Sequence, residues 1–165
     1  MSQTITSTVP GAIAQLFAYM EQVAEDNPDL NIGTYLGTPI GTALSPNYFI
    51  LGEDETGQLL QGYHQEWAGL PAAANRSAEE YGIPCCLRAY AGNSDPISRL
   101  TDAFTMLDGL MGYLQLDPGA SGALTPSGTW KLSGLEMPES GPFGGKGWGV
   151  LMSFTVSIIN VRLTS

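Results

Sequence analysis

The stretch DPISRLTDAFTMLDGLMGYLQLDPG, residues 95–119, decides the fold. Asp95 can cap a helix, and Pro96 suits the first helical position. Apolar residues then recur at helical spacing on one stripe, which consists of Ile97, Leu100, Phe104, Leu107, Met111 and Leu114. The stripe predicts a long amphipathic helix with Leu107 buried in its middle. Three heptads without charged flanks favour packing on a sheet over a coiled coil.

A second helix is predicted near the start of the chain. Its apolar residues again follow helical spacing: Val9, Ile13, Leu16, Phe17, Met20 and Val23. Thr8 is a suitable cap, Pro10 fits the first turn, and Asn27-Pro28 ends the element. The polar residues 1–7 are expected to form a flexible N-terminus, followed by a single domain over residues 8–165.

The segments around these helices have the patterns of strands. Strands are predicted at 32–37, 47–52, 81–90, 129–135 and 150–163, and the consecutive apolar residues of 47–52 predict burial on both faces. Pro84 lacks a backbone donor, so its end of a strand is expected at an edge or bulge. The apolar alternation changes phase near Ile158-Ile159, which predicts a β-bulge there.

These elements together predict an α+β fold. We expect a mainly antiparallel sheet of four to five strands with two helices packed on one face. Residues 58–78 have no clear pattern: the part LLQGYHQEWAG could form a strand, and LPAAANRSAEE could form a loop or a helical turn.

The composition limits the functions that the chain can have. It has 165 residues, a formal net charge of −10 and only 13% charged residues, which leaves a polar, weakly charged surface suited to an assembly subunit. The six basic residues are scattered singly, which disfavours nucleic-acid binding: Arg76, Arg88, Arg99, Lys131, Lys146 and Arg162. No signal peptide or membrane-spanning run is present in the sequence, so we expect a soluble, intracellular protein.

Candidate chemistry is sparse. His64 lies two residues from Glu66, and on a strand the two would share a face as a possible acid–base pair, but no nucleophile accompanies them. Adjacent Cys85 and Cys86 would face opposite sides of a strand and are expected to be small packed residues. Glu53, Asp54 and Glu55 lack the spacing of an EF-hand. We therefore predict no catalytic residue, no metal site and no cofactor.

The glycine-rich stretch ESGPFGGKGWG, residues 139–149, resembles a phosphate-binding loop only superficially. The P-loop pattern requires glycine where Ser140 stands and Ser or Thr where Gly147 stands. Two interpretations remain. The loop is either a flexible strand connection or a docking arm in which Phe143 and Trp148 are apolar anchors and Lys146 makes a charge contact.

Four stretches in order resemble tail terminator proteins of long non-contractile-tailed phages, particularly those of actinobacterial phages. They are STVPGAIAQLFAYM (7–20), YLGTPIGTALSPNYFILGED (35–54), GNSDPISRLTDAFTMLDGLMGYLQLDPGASG (92–122) and GKGWGVLMSFTVSIINVRL (145–163). The order and spacing carry the resemblance, which extends from about Thr8 to Leu163.

The resemblance implies a structural virion protein rather than an enzyme. Such proteins form a ring, usually a hexamer, at the head-proximal end of the tail tube, where they stop tube growth and join the head-completion protein. DNA would pass through the ring without specific binding, and assembly would take place in the bacterial cytoplasm. Two alternatives remain open: another head–tail connector or tail tube subunit, and a small hydrolase or ligand-binding domain that uses His64.

Overall fold

The computed structural model describes eight parts of the chain: residues 7–37, 39, 44–52, 60–67, 76–92, 95–124, 128–142 and 147–164. The helices are α1 (Val9–Asp26) and α2 (Pro96–Leu116), with short 3-10 turns at Pro28–Leu30 and Ala120–Gly122. The strands are β1 (Ile32–Leu36), β2 (Asn47–Leu51), β3 (Gln61–Trp67), β4 (Arg76–Ala91), β5 (Thr129–Gly141) and β6 (Trp148–Thr164).

The strands form one mixed sheet of six strands. Their order is β1-β2-β4-β6-β5, with β3 paired to β4 beyond the end of β2. Among these pairs β1–β2 is parallel and the others are antiparallel. The α+β class is confirmed, but the expected four to five strands were too few. The sequence left β3 undecided, as a possible strand, because Gly62, Tyr63 and His64 are all exposed and give it no apolar alternation.

The core is one cluster of buried side chains from the sheet and from both helices. Alternate residues of β4 and β6 face it, and the pairs Cys85–Phe154 and Leu87–Met152 lie side by side in the ladder. Ala12, Leu16, Met20 and Val23 of α1 belong to the same cluster. β2 is buried along its whole length, as predicted for a central strand.

The buried face of α2 differs from the predicted stripe. Leu107 is confirmed as core with 2% of its surface exposed, but Ile97 is 75% and Phe104 42% exposed. The buried residues of α2 are Ala103, Met106, Leu107, Leu110 and Leu114. Apolar residues occupy two adjacent stripes of this helix, and only one of them can face the sheet. Spacing alone could not show which stripe that is.

Two reciprocal hydrogen bonds join the helices. The Tyr19 hydroxyl of α1 donates to Asp117 at the end of α2, and the Tyr113 hydroxyl of α2 donates to Asp26 at the end of α1. The two tyrosine rings stack with centroids 5.1 Å apart. These contacts place α1 and α2 side by side in antiparallel directions.

The predicted bulge near Ile158-Ile159 is confirmed. Glu79 pairs with Val161 and Tyr81 pairs with Ile158, so β6 carries one more residue than β4 across this step. The expected position of Pro84 at an edge was wrong, because β4 lies between β2 and β6. Pro84 stands where the partner of β4 changes from β3 to β2, and its carbonyl accepts a hydrogen bond from the Gly52 N–H at 2.7 Å. The side of Pro84 that lacks an N–H therefore faces the gap between β3 and β2, where no ladder hydrogen bond is needed.

A buried carboxylate beside this bulge fixes the start of α1. Glu79 is fully buried and accepts hydrogen bonds from the hydroxyls of Ser7 (2.7 Å), Thr8 (2.5 Å) and Tyr63 (2.8 Å) and from the Thr8 N–H (2.9 Å). Thr8 occupies the predicted cap position, but its side chain bonds Glu79 instead of the helix. Ser7, assigned to the flexible N-terminus from sequence, joins this cluster, and residues 1–6 lie outside the described residues.

Hydrogen bonds keep the buried Glu79 carboxyl in its ionised form. Burial by itself raises the pKa of the Glu79 carboxyl, but the hydrogen bonds from Thr8, Ser7 and Tyr63 outweigh burial and lower it below the ordinary value of 4.5. Tyr81 donates to the Thr8 hydroxyl, and burial raises the pKa of Tyr81 to about 12, so its hydroxyl remains protonated at neutral pH. The ionised carboxylate is thus the form that the fold accommodates.

The first prediction separates the two apolar stripes of α2. Leu107→Ala should lower the free energy of unfolding by about 2–5 kcal/mol, because it leaves a cavity in the core. Ile97→Ala should change it by less than about 0.5 kcal/mol, because Ile97 is exposed. Leu107→Asp should prevent folding. Chemical denaturation of each variant measures these effects, and equal costs at positions 97 and 107 would contradict the observed orientation of α2.

The second prediction concerns Glu79 and pH. Because the folded pKa is lowered, the carboxylate stabilises the protein above the unfolded pKa, and this contribution is lost as pH falls through the folded pKa. Glu79→Gln should cost about 1–3 kcal/mol at neutral pH, since its amide would face hydroxyl donors. It should also flatten the decline in stability at acidic pH.

Glu80→Gln is the matched control, because Glu80 is the adjacent residue on β4 and is exposed. Urea denaturation of both variants over a range of acidic and neutral pH makes the comparison. A Glu79→Gln protein with the stability of the control at neutral pH would show that the cluster contributes nothing.

Candidate assembly surface

The end of the glycine-rich loop is held tightly against β4. Gly147 has a φ of +77°, and a Cβ placed there would lie only 2.1 Å from the carbonyl oxygen of Ala91. Glycine is therefore required at this position for two reasons, a left-handed backbone and a close approach of two main chains.

Of the three candidate loop residues, the structure describes Trp148 and does not describe Phe143 or Lys146. Trp148 begins β6, pairs with Ala91, and is half-buried against the hydrophobic core. Much of its ring is thus used within the chain itself. Phe143 and Lys146 lie outside the described residues. A docking role for the loop consequently depends on those two side chains more than on Trp148.

β5 is an edge strand with an interrupted ladder. Between Ser133 and Glu136, and again between Glu136 and Glu139, three steps of β5 oppose two steps of β6. Each interruption is a β-bulge, and Gly134 adopts a φ of +60° at the first. Bulges twist an edge strand and hinder regular pairing with another strand. The free edge of β5 is therefore a poor template for extending the sheet.

The beginning of β5 is covered by the turn after α2. The Trp130 N–H donates to the Pro118 carbonyl at 3.2 Å, and the indole N–H donates to the Asp117 carbonyl at 2.9 Å. The first bond occupies a backbone donor that an incoming strand would need, and the second holds the Trp130 side chain against the turn. The cover and the two bulges together protect most of this edge.

An exposed apolar surface accompanies β5 and α2. Leu135 and Met137 on β5 are 45% and 39% exposed, and Ile97 and Phe104 on α2 are also exposed. Leu100 and Phe104 line one shallow depression with Asp108. From the sequence, Ile97, Leu100 and Phe104 were expected on the buried stripe of α2, and no role was expected for Leu135 or Met137. The sequence LEMP at 135–138 alternates apolar with other residues, which was the available signal.

The second face of the sheet carries a fixed arginine. The Arg88 guanidinium lies 4.5 Å from the centre of the Tyr48 ring and 5.8 Å from that of Tyr90, and it donates to the carbonyls of Ser45 and Pro46. Arg99 similarly pairs with Asp102 at 3.1 Å. These two cations serve contacts within the chain, so they contribute little to a basic surface.

The residues that the sequence offered for acid–base, metal or thiol chemistry are not brought together by the described structure. His64 is exposed on β3 and faces Glu80 across the ladder, whereas the side chain of Glu66 and all of Glu53, Asp54 and Glu55 are outside the described residues. Cys85 is buried, and burial raises the pKa of its thiol; Cys86 is half-buried on the opposite face. Within the described ranges no group of three or more His, Cys, Asp and Glu side chains could hold a metal ion.

Neither described helix combines the length and apolar character needed to cross a bilayer. In comparisons with known proteins, no protein-family model and no curated sequence matches the chain.

The third prediction tests the close approach at Gly147. Gly147→Ala should destabilise the fold by at least about 1–2 kcal/mol, the cost of a left-handed alanine, with the clash against Ala91 added to it. Gly92→Ala is the control, because a Cβ at Gly92 meets nothing within 4 Å. Thermal unfolding of both variants gives the comparison, and a Gly147→Ala protein as stable as Gly92→Ala would contradict the described strand ends.

Proposed function

We propose that this chain is a structural subunit of a phage tail, forming a ring at the head-proximal end of the tail tube and ending tube growth. The observation that carries the proposal is that each of the four resembling stretches contains most of a helix or a strand. In chain order they contain the first two thirds of α1, the end of β1 with all of β2, the whole of α2, and most of β6. A hexamer is the ring size that the resemblance implies.

The sheet geometry supports an assembly role. β4 and β6 have 16 and 17 residues and pair along nearly their whole length. Side chains of both helices join one face of this sheet in a single core, and we infer that both helices pack on that face. The opposite face and the strand edges then remain for contacts with neighbouring subunits.

The irregular edge of β5 supports termination in particular. A subunit that ends growth must match its neighbours on one side without offering an equivalent template on the other. Two bulges and the covered start of β5 limit regular strand addition at that edge. The more regular edge of β1, a five-residue strand in unbroken register with β2, remains for pairing.

The charge supports a passage for DNA without tight binding. The net charge is −10, and phosphate groups are repelled by an acidic surface. Arg88 and Arg99 are engaged within the chain. The proposed partners, which the resemblance implies, are copies of the same chain, the tail tube protein and the head-completion protein. We propose no cofactor.

Two other functions remain as alternatives. A head–tail connector or tail tube subunit would share the small α+β ring-forming architecture, and it would bind the portal or polymerise instead of capping tubes. A hydrolase or ligand-binding domain would depend on His64. His64→Ala should leave tube capping unchanged under the proposed function, whereas it should abolish activity in a His64-dependent enzyme.

The fourth prediction concerns tube ends. Purified protein added to assembled tail tubes should appear as one ring at one end of each tube in electron micrographs. Phage that lack the protein should make overlength tubes without heads. Decoration along the tube walls, or tails of normal length in its absence, would contradict termination.

A shortened loop separates the two interpretations of residues 139–149 in the same assay. Removal of Gly144 and Gly145 should leave the fold intact, because the strands on both sides are held by the β5–β6 ladder. Retained capping assigns the loop as a strand connection. Lost capping with an unchanged melting temperature assigns it as a docking arm through Phe143 and Lys146.

A further inference from the structure

A cavity of about 210 Å³ lies between the second half of α2 and the start of β5. Seven described residues line it: Met111, Leu114, Gln115, Pro118, Trp130, Lys131 and Leu132. Leu114 and Trp130 are each 4% exposed and form its inner part, whereas Gln115 and Pro118 are exposed at the protein surface. The cavity is therefore reached from solvent and ends against the core.

The turn after α2 holds the walls of the cavity in place. The Trp130 N–H donates to the Pro118 carbonyl, and the indole N–H of the same residue donates to the Asp117 carbonyl. The Tyr19 ring meets the Trp130 ring edge-on, with centroids 6.0 Å apart. Because these contacts fix the Trp130 ring, the cavity is preformed, as is usual for small-molecule sites.

The β5 side chains that face the cavity are apolar. Trp130 and Leu132 pair with the buried residues Ile158 and Val156 in a stretch of the ladder without a bulge, which places both side chains on the core face. Lys131, between them, points to the opposite face, so its ammonium group lies away from the cavity. Among the described lining residues the only polar side chain left at the cavity is the uncharged Gln115.

The main chain of β5 supplies hydrogen-bonding groups beside the cavity. The Trp130 N–H bonds to Pro118 and not to β6, so it points to the free edge of β5. Main-chain groups of an antiparallel strand alternate between its two sides, so the N–H and C=O of Leu132 point to the same edge. Leu132 and Pro118 both line the cavity, and a ligand there can bond the Leu132 main chain.

The size of the cavity limits its ligand. Drug-sized sites begin at about 300 Å³, whereas an apolar cavity of about 150 Å³ holds one benzene molecule. A cavity of about 210 Å³ lies between these sizes and suits one aromatic ring with a short substituent, or two fused rings.

The lining of the cavity favours an aromatic and uncharged ligand. The Met111 thioether makes favourable contacts with aromatic rings, and the Trp130 ring offers a second aromatic partner. Burial of a charged group is costly where no opposite charge faces it.

We propose that this cavity binds a small, uncharged aromatic molecule, of which phenol and indole are examples. The ring lies among Met111, Leu114 and Leu132. A hydroxyl or N–H group on the ring bonds to the Leu132 main chain or to the Gln115 amide. The site is independent of the proposed role in a phage tail.

Titrations of isotope-labelled protein, followed by two-dimensional NMR, test the site with phenol and indole as probes. Both should bind saturably and shift the signals of the Trp130 indole and of the Leu114 and Leu132 amides. Cyclohexanol should bind about two- to ten-fold more weakly than phenol, because it lacks the aromatic contacts. Benzoate should bind at least about ten-fold more weakly than phenol, because its carboxylate would be buried without a cation.

Two substitutions should remove the site. Met111→Trp fills the cavity and Gln115→Trp covers its mouth, and each should weaken phenol binding at least about ten-fold. Because Gln115 is exposed, Gln115→Trp should keep the wild-type melting temperature even if Met111→Trp lowers it. Leu116→Trp is the matched control, since Leu116 is the next residue of α2, is 86% exposed and does not line the cavity. It should bind phenol as the wild type does.

Four results would overturn the assignment. The first is the absence of saturable shifts with both probes. The second is a set of shifts centred on the depression at Leu100 and Phe104 instead of on Trp130. The third is undiminished binding by Met111→Trp and Gln115→Trp. The fourth is benzoate or cyclohexanol binding as tightly as phenol, which would contradict the uncharged or the aromatic character of the ligand.

Discussion

The pairing of β4 with β6 is the constraint on which the rest of the structure depends. These strands stay in register from Ala91–Trp148 to the bulge at Glu79 and continue beyond it. Their alternate residues form most of the sheet's contribution to the core, so the face that these residues share is set by this one register. β2 and β3 then divide the other side of β4 between them, which places Pro84 at their junction.

The Glu79 cluster connects β4 to neighbouring elements beyond the end of the hydrophobic core. Described core residues of β4 end at Tyr81, yet Glu79 ties β4 to Tyr63 of β3 and to the start of α1. A buried carboxylate is stable in such a place only with donors on its oxygens, and here it has four. Polar bonds thus position the segment that apolar packing does not reach.

Much of the fold was predictable because its signals are local. Capping residues and prolines predicted where α1 and α2 begin, and the change in apolar alternation at Ile158-Ile159 predicted the bulge. The exposed strand β3 remained only one option for its segment, because it is held by pairing with β4 and its described side chains show no apolar alternation. The buried side of α2 could not be found either, since Ile97 and Phe104 are as apolar as the residues that are buried. The donors around Glu79 come from residues 7, 8 and 63, and no local pattern connects them.

The reciprocal bonds of Tyr19 with Asp117 and of Tyr113 with Asp26 give the helix pair a mechanical property. Sliding either helix along the other would break both bonds at once, since each tyrosine reaches the end of the opposite helix. Axial load applied to α2 is therefore shared with α1. From α1 it passes through Thr8 and Glu79 into β3 and β4. A load path thus runs from α2 to the far end of the sheet through side-chain hydrogen bonds and the backbone of α1.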